Sequence, residues 1–139
     1  MTLACVALMA MMAGCATKGP SDEQQIRDVV NGFKAALLAK DVAKTLSFVS
    51  EAFSHDQVPD KPTAKGYLEM GISEGYTDGA QVDLSQMKII IDKAKKTAEA
   101  YPIIASADRG EVTAALLFTK ESKGDAKVWM ITSIRVEGI

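Results

Sequence analysis

The sequence contains few of the residues that enzymes use most often for metal binding and covalent chemistry. It has 1 His, which is His55, and 2 Cys, which are Cys5 and Cys15. A single histidine excludes a metal site built from several histidines, and a chain without cysteine after Cys15 has no thiolate site and no internal disulfide there. We therefore expect no metal and no cofactor, and a domain whose stability comes from its core.

The sequence also lacks an apolar run of transmembrane length. Residues Leu3 to Ala13 are almost all apolar, but a helix needs about 20 such residues to cross a membrane, so the run fits the hydrophobic region of a signal peptide. Met12-Ala13-Gly14-Cys15 resembles the lipobox of bacterial lipoproteins, whose cysteine is acylated and becomes the N-terminus. The pattern predicts a signal peptide at 1–14, lipid on Cys15 and a tether at 15–20. An ordinary cleaved signal and an uncleaved apolar anchor are the alternatives.

The resemblance to lipoproteins implies an exported protein that is anchored to a membrane through Cys15. Ala16 rather than Asp follows the cysteine, which by resemblance to enterobacterial sorting favours the outer membrane, at its periplasmic face or on the cell surface. The six residues from Cys15 to Pro20 extend to about 20 Å at most. The folded domain would therefore lie close to the membrane.

Charge of neither sign dominates the chain. The 16 Lys plus Arg and 18 Asp plus Glu give a net charge of −2, which argues against nucleic acid as a partner because such binding needs a concentrated positive face. Lys93, Lys95 and Lys96 form the densest basic cluster, and a solvated turn explains it more simply than a phosphate site does.

Helical periodicity follows the tether. Ser21-Asp22-Glu23-Gln24 fits a capping box at the start of a helix. One apolar stripe continues from it: Ile26, Val29, Val30, Phe33, Ala36 and Leu37. Asp41 is a candidate N-cap for a second helix whose apolar residues are Val42, Leu46 and Val49. A third helix is predicted from about Thr63 to Tyr76, although its glycines lower the helix propensity.

After Gly79 the pattern changes to the alternation that is typical of strands. One strand carries apolar residues at Val112, Ala114, Leu116 and Phe118. Another has Val128, Met130, Thr132, Ile134 and Val136 on one face. Turn signals at 108–110 and 123–125 precede these two strands. Residues 86–101 fit a helix as well, but their β-branched residues favour two strands with a break at 93–96.

Three helices followed by an antiparallel meander predict an α+β fold, in which a curved sheet wraps around the helices of one domain at 21–139. The helical segment "IRDVVNGFKAALLAKDVAKTLSFVSEAF", the later "KGYLEM" and the final strand "KVWMITSIRVEG" resemble the nuclear transport factor 2-like superfamily. This cone-shaped fold includes ketosteroid isomerase and many small bacterial lipoproteins. The resemblance implies a deep pocket between the concave face of the sheet and the helices.

Ketosteroid isomerase, a member of that superfamily, allows a check of single residues. By this resemblance, Phe33 stands where the tyrosine that binds the oxyanion would be, and the catalytic base would fall at Gln57 or, with a slip of one residue, at Asp56. Phe33 has no hydrogen to donate to a developing enolate, so isomerase chemistry of that type is not expected. Gly71-Ile72-Ser73-Glu74-Gly75 matches a nucleophile elbow, but a helix rather than a strand precedes Ser73, and the match is attributed to chance.

The candidate ligand-binding residues are Phe33, His55, Tyr67 and Trp129. Tyr67 and Trp129 fit either the core or the pocket wall, and the core is favoured because large aromatic rings dominate burial. Trp129 is the only tryptophan, so it is expected to report an apolar ligand by fluorescence. His55 and Asp56 are a candidate acid and base pair, although neighbours on a strand usually point to opposite faces.

Two functions follow from these observations. The first is a non-catalytic binding module, tethered to a membrane, that takes a small apolar ligand in the cone or a protein partner. The alternative is a small cofactor-independent enzyme, isomerase-like or hydrolase-like, that uses Asp56 or His55 in the same pocket. No catalytic residue is assigned under the first reading. The sequence does not determine the oligomeric state, and a homodimer is compatible with it.

Overall fold

The computed structural model describes residues 19–138, so the predicted signal peptide, Cys15 and most of the tether lie outside the described residues. This part of the chain forms three helices and then five strands. They are α1 (Asp22–Leu38), α2 (Val42–Leu46), α3 (Lys61–Ser73), β1 (Gln81–Asp83), β2 (Lys88–Asp92), β3 (Thr97–Ala107), β4 (Gly110–Lys123) and β5 (Ala126–Glu137). Among residues 19–138, no helix has both the length and the apolar character needed to cross a membrane.

The predicted start of α1 is confirmed, but only one of the two hydrogen bonds of the predicted capping box is formed. The Ser21 hydroxyl accepts a hydrogen bond from the backbone N–H of Gln24 at 3.2 Å. The Gln24 side chain does not reach back to Ser21 but donates to Asp28 at 2.9 Å. The predicted apolar stripe faces the core, where Ile26 and Val30 are buried. Its spacing therefore predicted the buried side of α1 correctly.

The second helix is shorter than predicted. Asp41 caps it by accepting from the backbone N–H of Lys44 at 3.0 Å, but the helix ends at Leu46. The prediction that it continues to Val49 is wrong because the backbone on either side of Val49 pairs with β5. There the Ser50 N–H donates to the Ile131 carbonyl at 2.8 Å. Val49 is buried as expected, by a bridge to the sheet and not by a helix.

The third helix begins and ends two or three residues before its predicted bounds. Asp60 is its N-cap and accepts from the backbone N–H of Thr63 at 2.8 Å. Pro62 stands in the first turn, where its missing N–H costs no helical hydrogen bond. Gly75 follows the helix with φ of 80°. That left-handed conformation suits glycine and stops the helix before Tyr76.

The five strands form one antiparallel, curved sheet that is not closed into a barrel. The order is β1-β3-β4-β5, and β2 also pairs with β3, beside a different part of that strand from β1. The predicted break at 93–96 is confirmed as the turn between β2 and β3. The two predicted turns at 108–110 and 123–125 separate β3, β4 and β5. Strand β1 was not predicted, because three residues are too few to show alternation.

A β-bulge in β5 changes which of its residues face the core. The register with β4 shifts between Leu117 and Phe118, which pair with Ser133 and Ile131, so Thr132 is the extra residue. Before the bulge the buried residues are Trp129 and Ile131. The prediction that a single face from Val128 to Val136 points to the core is therefore wrong for the residues before the bulge. It is correct for the residues that follow the bulge.

The helices pack against the concave face of the sheet and give the domain one core. Its buried members come from α1, the segment after α2, the β1–β2 connection and strands β3, β4 and β5: Ile26, Val30, Val49, Phe53, Met87, Ala98, Ala100, Ile103, Leu116, Phe118, Trp129 and Ile131. Helix α3 contributes no buried side chain. The predicted α+β architecture is thus present, with an apolar hollow between the helices and the sheet.

Candidate ligand-binding site

The hollow of the cone has two lobes. The first, of about 190 Å³, lies between all three helices and the sheet. The second, of about 130 Å³, lies between α1 and strands β1, β3, β4 and β5. Four side chains line both lobes: Phe33, Leu37, Leu116 and Ile134. Phe33, the predicted ligand-binding residue on α1, therefore stands on the boundary between the lobes.

The walls of both lobes are almost entirely apolar. In the first lobe the polar groups are Thr45 and Tyr67, and the Thr45 hydroxyl is already bonded, since it donates to the Asp41 carbonyl at 2.7 Å. In the second lobe Lys34 is the one charged residue among those that the structure describes. Such walls favour an apolar ligand held by shape and by removal of apolar surface from water.

Helix α3 covers the first lobe without being part of the core. Its residues Ala64, Tyr67 and Leu68 line the lobe, and Tyr67 is 52% exposed at the mouth. The helix is fastened near its ends. Lys61 forms an ion pair with Glu51 at 2.8 Å, and after the last turn Arg109 donates to the Glu74 carbonyl at 2.8 Å.

His55 and Asp56 lie outside both lobes. They belong to a tight turn in which His55 and Val58 exchange backbone hydrogen bonds of 3.0 Å. The His55 ring nitrogen Nδ1 accepts from the backbone N–H of Gln57 at 3.1 Å, so it holds the turn together. Val58, not His55, reaches the first lobe. The candidate acid and base pair therefore does not face the hollow.

Trp129 also lies outside both lobes, at one end of the cone. It is buried, and its indole N–H donates to the Asp22 carboxylate at 3.0 Å. The Lys120 ammonium donates to the same oxygen at 2.8 Å. The hydrogen bond from Lys120, followed by that from Trp129, holds the pKa of Asp22 below its usual range. Of the four predicted residues, the structure brings together Phe33 and Tyr67 and leaves His55 and Trp129 elsewhere.

The arrangement of helices and sheet matches solved structures. No protein-family model and no curated protein sequence matches the chain. A nuclear transport factor 2-like protein of unknown function from Pseudomonas putida superposes with a TM-score of 0.64 at 14% identity, over 85% of this chain and 88% of that one. The fold is nuclear transport factor 2-like.

Two further structures of unknown function share this nuclear transport factor 2-like fold. One, from Cytophaga hutchinsonii, is also described as nuclear transport factor 2-like and has a TM-score of 0.52 at 16% identity, over 80% of this chain and 87% of that one. The other, from Nostoc punctiforme, is described as having a cystatin-like fold. Its TM-score is 0.63 at 12% identity, over 83% of this chain and 89% of that one.

Of the residues that line this nuclear transport factor 2-like pocket, the sequence pointed to Phe33 on α1 and Tyr67 on α3 and gave no sign of most others. Leu37 and Leu46 were visible in the helical periodicity as apolar positions, but the same signal marks core residues. Val58 and Leu68 also line the first lobe, and neither carries a local signal that distinguishes a pocket wall from ordinary packing.

The remaining chemical motifs of the sequence do not assemble a site in the described chain. Ser73 is the last residue of α3, and its hydroxyl donates to the Met70 carbonyl at 2.9 Å. A helix precedes it, as the sequence predicts, whereas a nucleophile elbow needs a strand there. Within residues 19–138 no three His, Cys, Asp or Glu side chains are grouped closely enough to hold a metal ion.

Proposed function

We propose that this protein is a binding module, tethered to a membrane, that takes a small apolar ligand in the hollow of its cone. The observation that carries the proposal is the hollow itself, whose two apolar lobes meet at Phe33. An apolar cavity of this kind is the usual site for a ligand that is recognised by shape.

The size of the lobes limits the ligand. Apolar cavities of about 150 Å³ bind benzene, and each lobe here is of that order, at about 190 and 130 Å³. The expected ligand is therefore a single ring or a short hydrocarbon chain in one lobe. A longer chain would occupy both lobes if the Phe33 ring rotates away from their boundary.

Binding is tested by filling the first lobe. Ala64 lines it from α3, so Ala64→Phe places a ring inside, whereas Ala35→Phe places the same ring on the exposed face of α1. Methyl NMR shifts of the leucines and isoleucines are followed while toluene or hexanoate is added. We expect saturable shifts in wild type and Ala35→Phe, and an affinity at least about tenfold weaker in Ala64→Phe, because the ring occupies the ligand's volume.

Two results would contradict the apolar-ligand proposal. Equal affinity in Ala64→Phe and wild type would place the ligand elsewhere, and no saturable shift with any probe would favour a protein partner instead. Product formation that Asp56→Asn or His55→Ala abolishes would establish the alternative, an enzyme. Trp129 lies outside the lobes, so its fluorescence serves as a control that stays constant when the ligand enters.

The proposed attachment to the membrane rests on Cys15 and has its own test. The lipobox-like Met12-Ala13-Gly14-Cys15 and the short apolar run before it support acylation of the cysteine and an outer-membrane location. Mass spectrometry of the membrane fraction should show a lipid-modified Cys15 as the N-terminus. An unmodified chain that retains Leu3 to Ala13 would exclude the lipoprotein proposal.

A further inference from the structure

A cleft lined by lysines lies at the end of the cone where α1 begins. It has a volume of about 370 Å³. Its lining residues are Asp22, Ile91, Lys93, Lys96, Lys120, Lys127 and Trp129. We call it the lysine cleft. It is separate from the apolar lobes, with which it shares no lining residue.

The fold, and not the local sequence, gathers these lysines. Two of them come from the β2–β3 turn and two from the β4–β5 hairpin, which lie side by side at this end of the sheet. A backbone hydrogen bond of 2.9 Å from the Lys120 N–H to the Lys96 carbonyl joins the two hairpins. The basic turn that the sequence shows at 93–96 is therefore half of a larger cluster.

The charge of the lysine cleft is strongly positive in a chain whose net charge is −2. Within residues 19–138, Asp22 is the one carboxylate that lines it, and Asp22 is already held by Lys120 and Trp129. Lys127 donates to the Ser122 hydroxyl, which leaves its charge uncompensated. Lys93 and Lys96 form no ion pair with any described residue.

The walls of the cleft strengthen its attraction for anions. Ile91 and the Trp129 ring form apolar parts of the lining, and apolar surroundings reduce the screening of a nearby charge by water. The Lys120 ammonium lies 5.8 Å from the centre of the Trp129 ring. A phosphate group in the cleft would thus meet several ammonium groups over an apolar floor.

The position of the lysine cleft indicates the anion that it meets. Asp22 is in the first turn of α1, so the cleft lies at the end of the domain to which residues 15–20 are joined, and these six residues reach about 20 Å at most. An anchor on Cys15 would hold this end of the cone next to the bilayer. Lysines near a membrane attract anionic lipid headgroups.

We propose that the lysine cleft docks on the phosphate headgroups of an anionic lipid surface and so fixes the orientation of the tethered domain. The inference rests on the proposed attachment at Cys15. The docked domain would turn its lysine end to the bilayer, and the two apolar lobes, which share no lining residue with the cleft, would not be part of the docking contact.

Docking is measured with the full chain purified from membranes and incorporated by its own N-terminus into vesicles. Energy transfer from Trp129, the single tryptophan, to a dansyl group on lipid headgroups reports how near the cleft lies to the surface. Vesicles of phosphatidylcholine alone are compared with vesicles that also contain phosphatidylglycerol. A chain recovered without an anchor is mixed with the same vesicles and sedimented, so failure of the attachment is distinguished from failure of docking.

The test variant is the triple substitution Lys93→Gln, Lys96→Gln and Lys127→Gln, which leaves Lys120 to hold Asp22. The control is Lys44→Gln, Lys65→Gln and Lys88→Gln, which removes the same charge away from both the cleft and the apolar lobes. We expect stronger transfer on anionic vesicles in wild type and control. Each lysine near the surface contributes roughly fivefold, so the ratio of docked to undocked chains should fall about a hundredfold in the test variant.

Three results would overturn docking on a lipid surface. Wild type could give the same transfer, or the same sedimentation, on both kinds of vesicle. The two triple variants could lose docking equally, which would indicate net charge and not the cleft. Inorganic phosphate, matched to the lipid phosphate concentration at constant ionic strength, could abolish docking, which would assign the cleft to a free anion.

Discussion

At the scale of single residues, Asp22 connects three parts of the domain. Its carboxylate stands in the first turn of α1, where the helix dipole favours a negative charge. It accepts hydrogen bonds from Lys120 on β4 and Trp129 on β5. These partners are distant in sequence, so the contact closes the end of the cone and could not be read from the chain before folding.

Replacement of Asp22 by Asn should destabilise the domain. We expect the free energy of unfolding at pH 7 to fall by about 1–2 kcal/mol, the usual contribution of hydrogen bonds to a charged group, since the Asp22 side chain is 28% exposed and its contact is only partly screened by water. Glu23→Gln, in the same turn but in an exposed pair with Arg27, should cost less than about 0.5 kcal/mol. Urea unfolding followed by circular dichroism measures both, and equal effects would contradict the special role of Asp22.

The same contact predicts that the stability of the domain depends on pH. Because the pKa of Asp22 is lowered in the folded state, its contribution to stability is complete above its pKa in the unfolded chain. It is lost as the pH falls through the lower folded pKa. The difference in stability between wild type and Asp22→Asn should therefore shrink below about pH 4. A difference that stays constant from pH 7 to pH 2 would contradict the ionised contact.

At the scale of elements, α3 is the least stable helix of the three by its packing. It has no buried side chain, it contains two glycines within its 13 residues, Gly66 and Gly71, and Tyr67 and Met70 are exposed on it. Helices derive most of their stability from a packed apolar face. We therefore expect the amides of α3 to exchange with solvent faster than those of α1.

Substitutions at two glycines distinguish the effect of helix propensity on stability from the effect of packing. An added Cβ at Gly66 meets no atom within 4 Å, whereas at Gly32 of α1 it would lie 2.5 Å from Cζ of Phe48. Gly66→Ala should thus stabilise α3 by up to about 1 kcal/mol, which hydrogen exchange of the α3 amides would show. Gly32→Ala should bring no gain in the melting temperature, because the Phe48 ring must move. Stabilisation by Gly32→Ala alone would contradict the close contact.

The sequence predicted elements well where one local period decides them. The α1 stripe and the β4 alternation were correct because each buries one face along its whole length. The β5 face was wrong in its first half because the bulge at Thr132 depends on pairing with β4. For the site, Phe33 was found from the α1 stripe. His55 is held outside the lobes by a tight turn, and Trp129 contacts Asp22, which is distant in sequence, so no local period shows where either side chain lies.

At the scale of the whole molecule, the domain has one core, whose buried side chains come from α1, β3, β4 and β5 and from the connecting segments at Val49, Phe53 and Met87. The free edge of β5 is partly covered, since Ser50 and Ser54 donate from their backbone N–H groups to β5 carbonyls at 2.8 and 3.0 Å. Covering an edge in this way blocks pairing with other chains.

A single core should unfold in one cooperative step. Trp129 lies in that core beside the start of α1, so its fluorescence reports the end of the cone, while far-ultraviolet circular dichroism reports all helices and strands. We expect the two probes to give the same urea midpoint and the same slope. Separate midpoints would show that the helices and the sheet are independent units.

The exposed position of α3 also has a kinetic consequence. Because this helix covers the first lobe yet contributes no buried side chain, we expect ligand to enter when the contacts at the ends of α3 open and the helix moves outward, while the core stays closed. Entry would then be gated, with an association rate that stops rising at high ligand concentration and approaches the opening rate of the helix. Different ligands would share that limiting association rate and would differ only in their dissociation rates.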